Sequence, residues 1–354
     1  MATESASSER PVLSVVVIGR NEGDRLDRCL ESIERMRPLQ GPIEIFYVDS
    51  ASTDGSLERA AQFKINVQKL ETANPCAAAG RNAGWRIARA PIVFFVDGDT
   101  VVDPDFVADS IAELDNPKVA VVFGNRRELR PDASIYNRAL DLDWIAPAGV
   151  VEFCGGDALI RREVLARAGG YDEHLIAAED TELCGRIRAL GYTVLHVDRP
   201  MVRHDLAITR FSQYWRRALR SGYAYAEVSE RIRRVDLPEW YRQARRNRAQ
   251  GAVMLAIVAG APILSIAIRS FIPVLIAIAI VGLLSLRTAI HSRWKNAPLA
   301  TRLLHGLHSH LVQIPLLFGQ LKFQLDRSHG RTAELIEYED APAPIPRKVD
   351  SAPL

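Results

Sequence analysis

The stretch Ile92-Val93-Phe94-Phe95-Val96-Asp97-Gly98-Asp99 joins a wholly apolar run to two carboxylates that flank a residue without a side chain. The run reads as a buried strand, and residues 77–90 ahead of it read as a helix. The same alternation stands twice upstream. Residues 13–18 form a short β-branched run ending at Gly19, and residues 24–36 follow with Leu26, Cys29, Leu30 and Ile33 on one helical face. Residues 43–48 then precede a helical stretch at 56–63. Three such units in succession predict an α/β fold, a mainly parallel sheet flanked by helices. Ligands of open sheets sit beyond the carboxyl ends of the strands, where Asp97 and Asp99 stand.

Two carboxylates around a glycine suit a hard divalent cation, Mg²⁺ or Mn²⁺, which takes carboxylate oxygens together with diphosphate oxygens. A solvated acidic turn has the same local pattern. The loop Val48-Asp49-Ser50-Ala51-Ser52-Thr53-Asp54-Gly55-Ser56 closes the second strand, with Asp54 readable as a turn or cap residue. In Ala178-Glu179-Asp180-Thr181, Asp180 lies near a helix start, where the helix dipole favours an anion. It is placed either as a cap or as a general base within reach of an acceptor hydroxyl.

Downstream, 119–124 and 158–160 read as strands, 162–168 and 180–190 as helices, and 193–197 as a strand, with an irregular, acceptor-facing stretch at 126–153. A chain of 354 residues accommodates one catalytic domain, at 12–228, and a smaller accessory region. The net charge of +2 says little about partners, and no nucleic-acid partner is expected. Cys29, Cys76, Cys154 and Cys184 form no CxxC or Cys/His pattern, so reduced, buried thiols are expected. Residues 1–11 read as disordered and 331–354 as a proline-rich disordered tail. The N-terminus has no apolar signal segment, which places the catalytic domain in the cytoplasm as an expectation.

Residues 252–268 and 271–286 are almost wholly apolar, interrupted by Arg269 and Ser270. Arg231, Arg233, Arg234, Arg242, Arg245, Arg246 and Arg248 precede them, and Arg287, Arg293, Lys295 and Arg302 follow. Basic flanks on both sides of an apolar pair predict a C-terminal transmembrane helical hairpin at 251–290 with both ends cytoplasmic, behind a basic juxtamembrane segment at 229–250. A buried hairpin of a soluble core is the alternative. Residues 291–330 read as an interfacial or third membrane helix, and within them 303–325, interrupted by His305, His308, His310 and Pro315, fits an interfacial or bundled helix better than a lone span.

Taken in order, these segments resemble the family 2 glycosyltransferases of the GT-A fold over residues 13–228. Val17-Ile18-Gly19-Arg20-Asn21-Glu22 is similar to the family's first strand and Asn-Glu turn, with Gly19-Arg20 in place of the commoner Pro and aromatic. The 48–56 loop resembles its nucleotide-binding loop, Gly80-Arg81-Asn82-Ala83-Gly84 the segment beside the donor, Asp97-Gly98-Asp99 its metal motif, and Glu179-Asp180 its acceptor-side base motif. Gly155-Gly156-Asp157 and Gly169-Gly170-Tyr171-Asp172 look like acceptor-side segments, although packed turns with glycine at positive φ account for them equally. Val202-Arg203-His204 resembles the end of the core, where some GT-A enzymes add a histidine to the metal. Gln213-Tyr214-Trp215-Arg216-Arg217 partly resembles the QxxRW signature of processive synthases, but Arg217 stands where that signature has Trp. Arg216, Arg217 and Arg220 approach either a diphosphate or anionic lipid.

The resemblance implies a membrane-anchored, inverting, non-processive, metal-dependent enzyme of envelope or exopolysaccharide synthesis at the cytoplasmic membrane, multi-pass, acting on a lipid-linked or growing saccharide. Its donor would be a nucleotide sugar held by Glu22, Asp49, Arg81 and Asp97, with Asp49 at the base edge. Mn²⁺ or Mg²⁺ would be held by Asp97, Asp99 and His204, and Asp180 would be the base. Two rivals stand beside it: a polyprenyl-phosphate glycosyltransferase, whose ionised acceptor needs no base, and a catalytically silent GT-A scaffold at the membrane.

Overall fold

The structure, a computed structural model, describes residues 9–72, 75–231 and 238–331. The expected disorder at the chain ends, and Arg233 and Arg234, lie outside these residues, apart from positions 9–11 and 331. β1 (Leu13–Gly19), α1 (Asp24–Glu34), β2 (Ile43–Asp49), α2 (Ser56–Ala60), α3 (Ala77–Ile87) and β4 (Ile92–Asp97) follow the alternation expected from the sequence. β3 (Asn66–Lys69) is an addition: a short, largely exposed strand parallel to β2, with too little apolar pattern to announce itself.

β5 (Thr100–Val102), α4 (Phe106–Ser110), β6 (Val119–Glu128), α5 (Ile135–Asp141), β7 (Gly149–Val151), β8 (Ala158–Arg161), α6 (Arg162–Ala168), α7 (Glu179–Ala189) and β9 (Thr193–His204) complete the domain. The sheet runs β3-β2-β1-β4-β8-β6-β9-β5, with β7 also on β9. Its first four strands are parallel, as is β6 with β9, while β8, β5 and β7 run antiparallel to their neighbours. The sheet is therefore mixed. β9 also extends seven residues beyond the expected strand at 193–197, into a polar stretch that gains order by pairing with β5 and β6.

Central strands buried on both faces need side chains for two cores. Val15, Val17, Phe94 and Val96 face α1, whereas Val16, Val93 and Phe95 pack with Leu165, Leu183 and Ile187 from α6 and α7 on the other side. This alternation fixes the direction of whatever follows at the strand ends.

Five helices follow: α8 (Phe211–Arg231), α9 (Pro238–Ala267), α10 (Ile272–His291), α11 (Leu299–Leu311) and α12 (Gln313–Ser328). α9 and α10 form the hairpin, turning at Arg269 and Ser270, and both are long and apolar enough to cross a membrane. α9 carries the basic segment and the first apolar run as one continuous helix, so the boundary at residue 250 is not a structural break. The alternative of a buried hairpin is not met: Ile266 is 79% and Phe271 82% exposed, and no more than 17% of either apolar window is buried. Residues 291–330 are not one helix but two, α11 and α12, packed against the domain and the other helices. His305 and His308 are buried there against Asp143.

α8 and α12 approach closely because both are glycine at the crossing. A Cβ at Gly319 would fall on the Leu219 carbonyl oxygen, and one at Gly222 on that of Leu316. Gly319→Ala should therefore cost about 1–3 kcal/mol through overpacking, seen as a lower Tm of the purified chain. Gly260→Ala, on an open helix face, is the control and should leave Tm level or slightly raised.

Candidate active site

β4 ends at Asp97 on the face shared with Val93 and Phe95, which α3 and α7 cover. Arg81 in α3 and Glu179 at the start of α7 meet it there. Arg81 Nη2 lies 2.6 Å from Asp97 Oδ1, and Nη1 lies 2.5 Å from Glu179 Oε1. The guanidinium is buried and lies beside the Tyr171 ring. Asp157, fully buried, accepts the Asp97 backbone N–H at 2.8 Å and pairs with Arg126. Burial pushes its pKa up to about 6 despite Arg126.

Gly155 and Gly156 are not at positive φ, contrary to a turn-based reading of that motif, whereas Gly169 and Gly170 are, at 83° and 74°. Gly156 serves close approach instead, since a Cβ there would fall on Arg81 Nη2 and sit 2.8 Å from Asp97 Oδ2.

Antiparallel pairing of β5 with β9 sets Thr100 opposite His204 and so brings the histidine to the carboxylates. One donor atom from each of Asp97, Asp99 and His204 lies within 4.8 Å of the others, and His204 Nε2 is 3.3 Å from Asp99 Oδ2. Burial first, then the positive charge of Arg126, holds His204 well below the ordinary imidazole pKa, in the neutral form that ligates metals. Its Nδ1 is buried and has no hydrogen-bond partner among the described residues. Two carboxylates and a neutral imidazole fit Mn²⁺ or Mg²⁺ completed by phosphate oxygens.

Asp180 is the second residue of α7. The N-cap position belongs to Ala178, which holds a left-handed φ of 61° unusual for a side-chain-bearing residue. Asp180 Oδ1 accepts the Thr181 N–H at 2.7 Å. Desolvation and the neighbouring Glu179 carboxylate raise its pKa to about 7, against the opposing charges of Arg81 and Arg126. Strained backbone recurs beside the nucleotide-type loop, at Asn21 (φ 59°) and Ala51 (φ 63°), where Asn21 Oδ1 accepts the Thr53 N–H at 2.8 Å.

A cavity of about 370 Å³ brings together Glu22, Arg81, Asp97, Asp99, Asp180 and His204. Glu22 is paired with Arg25 at 2.8 Å. Asp49 does not line the cavity: it is fully buried, accepting Tyr47 OH at 2.9 Å and the Ser52 N–H at 2.8 Å, and its neighbour Ser50 reaches the space instead. Asp54 accepts Ser56 Oγ at 2.7 Å and the Ser56 N–H, the turn role open to it from the sequence. Arg217 and Arg220 also line the cavity, but Arg216 does not. Arg126 and Trp144 were invisible to sequence reasoning. They sit in the irregular stretch, where no period points to them.

Two family models match the chain: glycosyl transferase family 2 over residues 14–168 and glycosyl transferase family group 2 over residues 92–286. The chain belongs to the family 2 glycosyltransferases. Among curated relatives of this glycosyltransferase, AglE of Haloferax volcanii is 24% identical over 199 residues, covering 53% of this chain and 65% of its own. A validoxylamine A glucosyltransferase of Streptomyces hygroscopicus is 26% identical over 225 residues, 52% of this chain and 53% of its own. The O-antigen chain rhamnosyltransferase RfbN of Salmonella typhimurium is 22% identical over 221 residues, 58% and 69% respectively. The chain thus spans 65% and 53% of the lengths of the first two relatives. Among solved structures, the mannosyltransferase PcManGT of Pyrobaculum calidifontis has a TM-score of 0.62 at 21% identity, over 90% of this chain and 89% of its own, and so shares its fold.

Arg81 ties Asp97 on β4 to Glu179 at the start of the helix that carries Asp180. Gly156→Ala should push Arg81 off Asp97 and weaken Mn²⁺-dependent nucleotide binding by about tenfold, an amount equal to 1.4 kcal/mol. Calorimetry with UDP or GDP and Mn²⁺ checks it, and Gly260→Ala, at an open helical position, reports the effect of substitution alone.

Proposed function

We propose that the chain transfers a hexose from a nucleotide-diphosphate sugar to a hydroxyl of a lipid-linked or growing saccharide, with inversion and one addition per encounter. One observation carries this reading: Asp97, Asp99 and His204 share a single cavity with Asp180. The PcManGT structure, solved with GDP-Man and Mn²⁺, and the saccharide-directed names of the relatives support it.

Asp97, Asp99 and His204 would hold Mn²⁺ or Mg²⁺. When bound, the ion supplies electrostatic stabilisation of the diphosphate leaving group. Asp157 and Arg81 keep the Asp97 carboxylate in place, and Glu22 and Ser50 line the donor side. With Oδ1 held by Thr181 N–H, Asp180 has Oδ2 for the acceptor hydroxyl. It takes that proton as the acceptor oxygen attacks the anomeric carbon and the bond to the diphosphate breaks, which inverts the centre without a covalent enzyme intermediate. A pKa near 7 suits a base at neutral pH.

Asp180→Asn should lower turnover by roughly 10²–10⁴ while Mn²⁺-dependent donor binding stays level. Near-normal turnover would instead favour an ionised phosphate acceptor that needs no protein base. A second readout follows from linkage. The folded-state pKa of about 7 lies above the ordinary 3.8, so Asp180 costs stability that appears as pH rises from about 4 and is complete above about 7. Thermal melts in EDTA should therefore show Asp180→Asn more stable than the parent at pH 8, with the difference vanishing near pH 4.

The reading places the protein at the cytoplasmic face of the membrane, anchored by α9 and α10, whose side chains are too apolar and exposed for water. Both outer ends of the hairpin return to the catalytic domain: Trp240 packs edge-on to Phe153 at 5.5 Å and Lys295 donates to the Leu142 carbonyl. Membrane fractions washed with carbonate should retain the full chain. Release into the supernatant would show that the hairpin does not span.

A further inference from the structure

A second cavity, of about 810 Å³, shares a wall with the catalytic one, because Arg126 and Trp144 line both. Its volume lies in the range of small-molecule sites, roughly 300–1,000 Å³. Trp144 is fixed between the Arg126 guanidinium, 5.6 Å from its ring, and the His204 ring at 5.4 Å. Beyond it the cavity is bounded by Ile145 to Ala148, by the edge strand β5, and by Trp294 in the turn that ends α10. The space thus reaches from the catalytic centre to the base of the apolar hairpin.

Its chemistry narrows the occupant. Two indoles offer apolar faces and N–H donors, suited to the C–H faces and hydroxyls of sugar rings. Arg126 and Arg127 are committed to Asp157 and Asp141, whereas Arg203, exposed at the same cavity, forms no ion pair among the described residues. Asp103 and Asp198 also line it, the latter accepting from Asn125 Nδ2 at 2.9 Å, which leaves Arg203 as the cation available to an anionic group. Trp294 is 50% exposed, and tryptophan is favoured where a spanning helix meets the headgroups.

We propose that this second cavity holds the carrier end of a lipid-linked saccharide. The terminal sugar reaches past Trp144 to Asp180, the phosphate faces Arg203, and the lipid leaves beside Trp294 toward α9 and α10. The proposal rests on the hydroxyl-directed transferase reading and selects a lipid-borne acceptor over a free one.

The test titrates the full-length chain in detergent micelles with farnesyl diphosphate, in EDTA so that the metal-dependent donor site is silent. Wild type, Ala148→Trp, which fills the cavity from an exposed position, and Arg203→Gln are compared. Saturable wild-type binding should weaken about tenfold in each variant, and inorganic diphosphate should compete about tenfold less well than the lipid form. Absence of saturable wild-type binding, wild-type affinity retained in either variant, or equal competition by inorganic diphosphate would each overturn it. Mn²⁺-dependent binding of UDP or GDP to the same samples is read separately. Its retention in a variant shows an intact fold, and its absence from the wild type would sink the donor reading rather than the carrier site.

Discussion

Burying several carboxylates at the ends of neighbouring strands is the constraint on which this molecule depends. Asp99, Asp157 and Glu179 are almost entirely out of water, and the Asp97 side chain is 23% exposed. An unpaired buried charge costs several kcal/mol, so the cluster persists only because Arg81 and Arg126 are drawn in beside it. Arg81 serves two elements at once, holding Asp97 on β4 and Glu179 on α7. The glycine at 156 leaves room for that guanidinium, and the left-handed turn at Ala178 aims the start of α7 toward it. The end of β4 and the start of α7 are therefore joined through one buried cation. The carboxylates that remain mutually repelled are the groups a divalent cation would relieve.

A second polar network ties the helices to the domain. His308 Nε2 lies 2.8 Å from Asp143 Oδ2, and Tyr214 OH lies 2.8 Å from His308 Nδ1. Asp143 directly precedes Trp144, so the wall between the two cavities stands on the helical bundle. Glycines at the α8–α12 crossing allow backbones to touch, and His305 and His308 on α11 are buried against Asp143. The histidines of residues 303–325 thus act as hydrogen-bonding groups within packed helices, the bundled arrangement open to that segment from its sequence.

Much of the parallel half of the sheet, the hairpin and the Asp97, Asp99 and Asp180 motifs was legible in the sequence, because each is a local pattern. An apolar run ending in carboxylates marks a strand end whatever surrounds it, and a long apolar pair with basic flanks marks a hairpin. Beyond that reach, β3 was too short and polar to register, and the antiparallel course of β8 depends on partners far away in the chain. Residues 126–153 have no single period, which hid Arg126 and Trp144 although both line the cavity that holds Asp97, Asp99 and Asp180.

What the sequence by itself determined, then, was much of the order of strands and helices, the carboxylates at their ends and the apolar hairpin, since these follow from side-chain periodicity along a few neighbouring residues. Tertiary structure alone decided which of those groups meet. His204 reaches Asp99 only through the β5–β9 pairing, and Arg81 reaches Glu179, 98 residues away, only because α3 and α7 cover the same sheet face. It also decided that Asp49 is enclosed by Tyr47 and Ser52. Such contacts arise from sheet register and the pairing of buried charge, which act between segments distant in sequence and leave no periodic trace in either one.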